Sequence, residues 1–249
     1  MRFARLLPAA ACALLFAQAP LPRLNYHVDA AWPQLPPGWN FQETAATTVD
    51  QRNGHVYVLH RGQHPIMEFD ADGGFIRAFG EGLFERPHGI RIDPKGNIWI
   101  ADDSGHTVLK LDPSGRIRMV LGRWKQPSNA VAPSDPRPSW AIHTITDQDL
   151  MRFNRPTDIG FDSAGNIYVT DGYGNSRVVK FSPQGRFLTE WGKRGQAPGE
   201  FNTPHAITVD KNDRIYVADR ENYRIQIFDT NGKFIDQWKH VGSPWGLQI

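Results

Sequence analysis

A turn-and-strand pattern that returns along the chain constrains its fold more than any other feature. It reads Asp93-Pro94-Lys95-Gly96-Asn97-Ile98-Trp99-Ile100-Ala101-Asp102, then Asp162-Ser163-Ala164-Gly165-Asn166-Ile167-Tyr168-Val169-Thr170-Asp171, then Asp210-Lys211-Asn212-Asp213-Arg214-Ile215-Tyr216-Val217-Ala218-Asp219. A looser copy stands at Asp50-Gln51-Arg52-Asn53-Gly54-His55-Val56-Tyr57-Val58. In each copy Asp and Gly supply a turn, and alternating aliphatic and aromatic residues supply a short strand. A further strand follows each (Ile66 to Phe69, Val108 to Leu111, Val178 to Phe181, Ile225 to Phe228), then another turn and a fourth strand such as Phe187 to Gly192. The units open on Gly89 to Ile92, Asp158 to Phe161 and Ala206 to Val209.

These segments alternate with period two, which excludes a helical solenoid. Four short antiparallel strands recurring every 40 to 50 residues or so predict an all-β chain folded as a β-propeller. Four complete blades are expected, over residues 40–80, 84–123, 153–192 and 201–238, with the start of a fifth at 243–249. The domain plan is a signal peptide over 1–22, a Pro/Trp-rich linker over 23–44 and an incomplete propeller ring over 45–249. A loop insertion at 124–150 interrupts the repeat. The count predicts an open arc that stops before its ring closes, either a fragment of a longer product or a ring that a partner closes, and its uncovered edge favours self-association.

The N-terminus has the makings of an export signal. Arg2 and Arg5 precede the apolar run Leu6 to Phe16, and Ala17-Gln18-Ala19 follows. That run is too short to span a bilayer, so no transmembrane segment is expected. Pro20 hinders cleavage directly after Ala19. A lipoprotein anchor at Cys12 has too short an apolar segment before it. The protein is expected to be exported, periplasmic or extracellular. Cys12 is the single cysteine, so the mature chain has neither disulfides nor thiolate ligands. A net charge of +2 calls for no nucleic-acid partner.

Propeller geometry brings distant residues together, because equivalent positions of each blade form a ring around the axis. The step before the inner strand reads Pro87-His88, Pro156-Thr157, Pro204-His205 and Pro244-Trp245 in successive units. His88 and His205 therefore face one axis from alternate blades. They read either as ligands of zinc or a related divalent metal or as hydrogen-bonding and packing residues. His60, His64, His106, His143 and His240 show no such pairing and are taken as structural or surface groups.

Two loops are more particular than the repeat requires: Asp171-Gly172-Tyr173-Gly174-Asn175-Ser176-Arg177 and Ala218-Asp219-Arg220-Glu221-Asn222-Tyr223-Arg224. With His60-Arg61-Gly62 and the two Pro-His steps, they resemble the peptidyl-α-hydroxyglycine α-amidating lyases, NHL-repeat propellers of six blades. The resemblance implies a peptide or small α-hydroxyglycine substrate, cleaved to peptide amide and glyoxylate at a zinc in the channel. It places His88 and His205 on the zinc, Tyr173 as base with Arg220 supporting it, and Arg61 as substrate anchor. It also implies a structural calcium partly held by main-chain carbonyls, Ile90 matching one donor. Against these roles, Tyr173 could pack on a neighbouring blade and Arg220 could pair with Glu221 or Asp171. The family's third zinc histidine has no counterpart in this sequence. The rival function is a non-catalytic NHL propeller binding a peptide, glycan or protein. A sugar-lactone hydrolase propeller fits less well, since its calcium cage needs Glu, Asn and Asp at the inner strands.

Overall fold

A computed structural model of the chain describes residues 27–128 and 151–249. The signal segment with Cys12, His143 and most of the 124–150 insertion lie outside the described residues. Chain contacts divide at Ala30/Ala31, and the unit Ala31–Ile249 carries the fold.

Among the described residues sixteen strands form four antiparallel sheets. The first blade holds β1 (Thr44–Val49), β2 (Val56–His60), β3 (Ile66–Phe69) and β4 (Phe75–Phe79). The second holds β5 (Pro87–Ile92), β6 (Ile98–Asp102), β7 (Thr107–Leu111) and β8 (Ile117–Gly122). β9 (Asp158–Phe161), β10 (Ile167–Asp171), β11 (Arg177–Phe181) and β12 (Phe187–Trp191) make the third. The fourth is β13 (Pro204–Val209), β14 (Ile215–Asp219), β15 (Arg224–Phe228) and β16 (Phe234–Lys239). Each sheet runs in sequence order, and inner strands β1, β5, β9 and β13 pack each against the next. The four blades thus fall where the repeat puts them.

The core lies between blades. Trp99, Val108 and Leu121 of the second blade meet Ile159, Val169 and Phe181 of the third. Tyr168 and Val178 of the third meet Ile207, Val217 and Phe228 of the fourth. Each such side chain contributes about 1.5–3 kcal/mol on burial, so the middle strands β6, β10 and β14 are buried along their whole length. The segment expected as a linker also packs: Trp32, Leu35, Trp39 and Phe41 lie against Val58, Met67 and Phe69.

The invariant spacing of the repeat has a physical cause. The opening Asp caps its own turn, Asp93 accepting from the Lys95 and Asn97 amides at 2.9 Å. It also takes the ring donor six residues on: Trp99 Nε1 at 3.0 Å, and in the later copies Tyr168 to Asp162 at 2.8 Å and Tyr216 to Asp210 at 3.1 Å. The closing Asp clamps the loop that enters the blade. Asp102 accepts from the Glu85 and Arg86 amides at 2.8 Å, Asp171 from Asn154 at 2.8 Å and Asp219 from Asn202 at 2.7 Å. Blade one carries His60 at this place, buried, its Nδ1 accepting from the Gly62 amide at 3.0 Å.

Two expectations change. β5 and β13 begin at Pro87 and Pro204, earlier than the alternation suggested, and each contains a register shift around its histidine. Residues 243–249 form no strand. The Trp245 and Leu247 carbonyls accept from His205 and Arg91 side chains, so they are not engaged in a ladder.

Candidate functional site

The register shifts leave His88 and His205 as the unpaired residues of β-bulges. A bulge bends the strand and re-aims its extra side chain. Here both rings turn into the channel, their centroids 4.9 Å apart, above a cavity of about 590 Å³ that Thr157, Asp158, Arg91 and Trp245 also line. Ile90 lies two residues further along β5, buried and also lining that cavity.

The ring nitrogens are oriented by main chain. His88 Nδ1 lies 2.8 Å from the Thr157 carbonyl and His205 Nδ1 lies 2.6 Å from that of Trp245. Each histidine is thus held by the carbonyl at the equivalent place of the next unit in the chain. A carbonyl only accepts, so both Nδ1 atoms carry hydrogen and, in the neutral rings, both Nε2 lone pairs point inward. Both Nε2 atoms lie 3.0 Å from the Tyr173 hydroxyl. That hydroxyl has one proton for two acceptors, so one contact lacks a hydrogen. Protonating a ring would supply it, but burial lowers the His88 pKa. Burial, then His88 and Arg220, push that of His205 down to about 4.

Tyr173 is placed by the repeat as well. The residue after the closing Asp, or after His60 in blade one, donates its amide to the carbonyl of the loop entering the same blade: Arg61 to Glu43, Asp103 to Arg86 and Arg220 to Thr203. In blade three Gly172 is added, and Tyr173 donates to Arg155. A ring of Arg61, Asp103, Tyr173 and Arg220 results, backed by Glu43, Arg86, Arg155 and Thr203. Arg220, in a 3₁₀ turn over Arg220–Asn222, sets its guanidinium 5.5 Å from the Tyr173 ring centroid and 4.3 Å from that of Trp245. Its Nε donates to Glu221 at 2.8 Å. Asp171 pairs instead with buried Arg177 at 3.0 Å. Arg61 pairs with Glu43 and donates to the Pro87 carbonyl at 3.2 Å.

His88, His205, Tyr173 and Arg220 therefore converge, with Arg61 held one contact away behind Pro87. Sequence reasoning missed Arg155, whose guanidinium lies 4.9 Å from the Tyr173 ring centroid. It also missed the carbonyls of Thr157 and Trp245, although both belong to the Pro-x steps already visible in the repeat. Among the described residues no three His, Cys, Asp or Glu side chains gather at metal-ligand spacing. Two inward Nε2 lone pairs and a phenol oxygen that lack one proton nevertheless fit a divalent cation by donor chemistry.

Four-stranded blades lining a channel, with a His, Tyr and Arg cluster at its mouth, define a β-propeller. A family model for a 6-bladed beta-propeller matches residues 147–240 and an NHL repeat model matches residues 84–111. A streptogramin B lyase structure superposes with a TM-score of 0.60 at 16% identity, over 84% of this chain and 59% of that one, a likeness of fold. Rat peptidylglycine alpha-amidating monooxygenase is 34% identical over 89% of this chain and 24% of its own length. Human NHL repeat-containing protein 3 is 32% identical over 90% of this chain and 62% of its own. A probable peptidyl-alpha-hydroxyglycine alpha-amidating lyase of Caenorhabditis elegans is 30% identical over 78% of this chain and 57% of its own. Over most of its length this chain is thus similar to NHL-repeat propellers, proteins named as amidating lyases among them. It spans about a quarter of the rat protein and about three fifths of the other two.

Proposed function

We propose that the protein is an exported amidating-lyase-like enzyme that cleaves a peptidyl-α-hydroxyglycine to the peptide amide and glyoxylate. The observation that carries this reading is the meeting of His88, Tyr173 and His205, from three blades, at 3.0 Å contacts that are one proton short. His88 and His205, with the Tyr173 oxygen, would hold zinc. Calcium near the Ile90 carbonyl would be structural. When bound, zinc would supply Lewis acidity at the substrate hydroxyl.

The residues of the chain do the rest. Tyr173, freed of its proton, takes the proton of the carbinol hydroxyl. The O–H electrons form the aldehyde C=O, the C–N bond breaks, and the leaving amide nitrogen takes the proton that Tyr173 accepted, which restores the phenolate. Arg220 beside the ring stabilises the phenolate. Arg61, fixed by Glu43, contributes positive charge toward the glycine carboxylate. The relative named NHL repeat-containing protein 3 supports a second reading, a non-catalytic propeller that binds a peptide, glycan or protein. Incubating the purified protein with α-hydroxyhippurate separates the two. Zinc-dependent release of benzamide and glyoxylate in equal amounts is expected of the lyase, and no release above the uncatalysed rate would overturn it.

A further inference from the structure

The close charge pairs around the channel mouth lie within blades and blade three lacks one, while Arg86 also comes within 3.9 Å of Glu43 in blade one. In blade one Arg61 meets Glu43, and in blade two Arg86 meets buried Asp103. In blade four Arg220 meets Glu221. Blade three has Arg155, and the residue opposite it in the same amide-to-carbonyl pair is the neutral Tyr173. Among the described residues the Arg155 guanidinium makes no hydrogen bond. Its nearest carboxylate is Asp103 at 3.8 Å, already engaged by Arg86. The side chain is 44% exposed, yet its backbone is held firmly: φ is +64° and its amide donates to His106 Nδ1 at 3.1 Å. Four guanidinium groups against three carboxylates leave one positive charge, and it sits on Arg155 beside the Tyr173 ring.

We propose that Arg155 is the residue that binds the substrate carboxylate, forked donors on both oxygens, so that Arg61 tunes the field and Arg155 selects an anionic glycine end. This rests on the lyase reading for the identity of the substrate. A guanidinium without a hydrogen-bond partner has its full fork to offer, whereas Arg61 would first have to release Glu43. Lysine cannot reproduce the bidentate geometry.

The test is binding without chemistry. Hippurate carries the carboxylate but no hydroxyl and cannot react, while hippuramide lacks the charge. By calorimetry the wild-type protein should bind hippurate at least about tenfold tighter than hippuramide. Arg155→Asn, which tolerates the left-handed backbone, should erase that preference and leave hippuramide binding unchanged. Arg155→Gly provides a second neutral variant for the same backbone, and Arg155→Lys should keep only part of the preference. The proposal is overturned if a folded Arg155→Asn or Arg155→Gly protein still prefers hippurate, or if wild type shows no preference. A carboxylate preference that depends on Arg155, without turnover of α-hydroxyhippurate, would remove the proposed reaction and leave this site standing. Turnover with a preference indifferent to Arg155 would do the reverse.

Discussion

At the Tyr173 hydroxyl a single proton serves two imidazole lone pairs, each 3.0 Å away, and the consequences are measurable residue by residue. Tyr173→Phe removes the oxygen and keeps the ring between Arg155 and Arg220. Turnover of α-hydroxyhippurate should fall by about 10² to 10⁴-fold, the usual worth of a general base, with little change in KM. Unchanged glyoxylate release would take Tyr173 out of the chemistry. Exchanging both His88 and His205 for Ala should abolish stoichiometric zinc in protein dialysed against trace metal, read by elemental analysis. Equal zinc in both proteins would mean that the rings serve packing alone.

Elements deliver these side chains through close approaches that the repeat makes available. A Cβ on Gly172 would run into the Pro204 carbonyl and press on Thr157 Oγ1, so blades three and four meet there backbone to backbone. Thr157 adds its own bond across the seam, donating to Pro204 O at 2.9 Å. Gly172→Ala should therefore cost about 1–3 kcal/mol by overpacking and displace the adjacent Tyr173, lowering turnover along with the urea midpoint. A midpoint equal to wild type would show that the seam yields. Asp171 anchors the same loop from inside, accepting from Asn154, from Asn175 and from Arg177, which is 2% exposed. Asp171→Ala leaves the buried Arg177 guanidinium with Glu190 as its remaining carboxylate and strands the Asn154 and Asn175 donors, and should cost about 1–3 kcal/mol in chemical denaturation. Asp219→Ala removes the carboxylate that buried Arg224 of the same blade meets at 2.7 Å, and should cost about 3–5 kcal/mol.

For the molecule as a whole, buried histidines set the response to acid. Burial lowers the pKa of His60 and His106, as it does for His88 and His205. Their unfolded values lie near 6.5, so below that pH the unfolded chain binds more protons. The stability they contribute is fully present above about pH 6.5 and is lost as pH falls toward the folded values. The urea midpoint of metal-free protein should be lower at about pH 5.5 than at about pH 7.5, at similar slope. An unchanged midpoint would mean that these rings are protonated in the folded state at no cost.

The blades, their order and the alternate placement of His88 and His205 were legible in the linear sequence. Turn caps such as Asp93 and the ring donors six residues on are local, and local chemistry repeats whenever the residues repeat. Alternation could not reveal the bulges that turn the two histidines inward, because a bulge exists only against a partner strand. Nor could it show that Thr157 and Trp245 orient those histidines with carbonyls, since main-chain oxygen carries no residue signature. The role of Arg155 was hidden for the same kind of reason. In the sequence it is one basic residue before a proline, and that it must share its nearest carboxylate, Asp103, with Arg86 follows from what stands across each blade. Period and turn chemistry determined the propeller; which donors share a proton, and which charge is left over, was decided by the packing of one blade on the next.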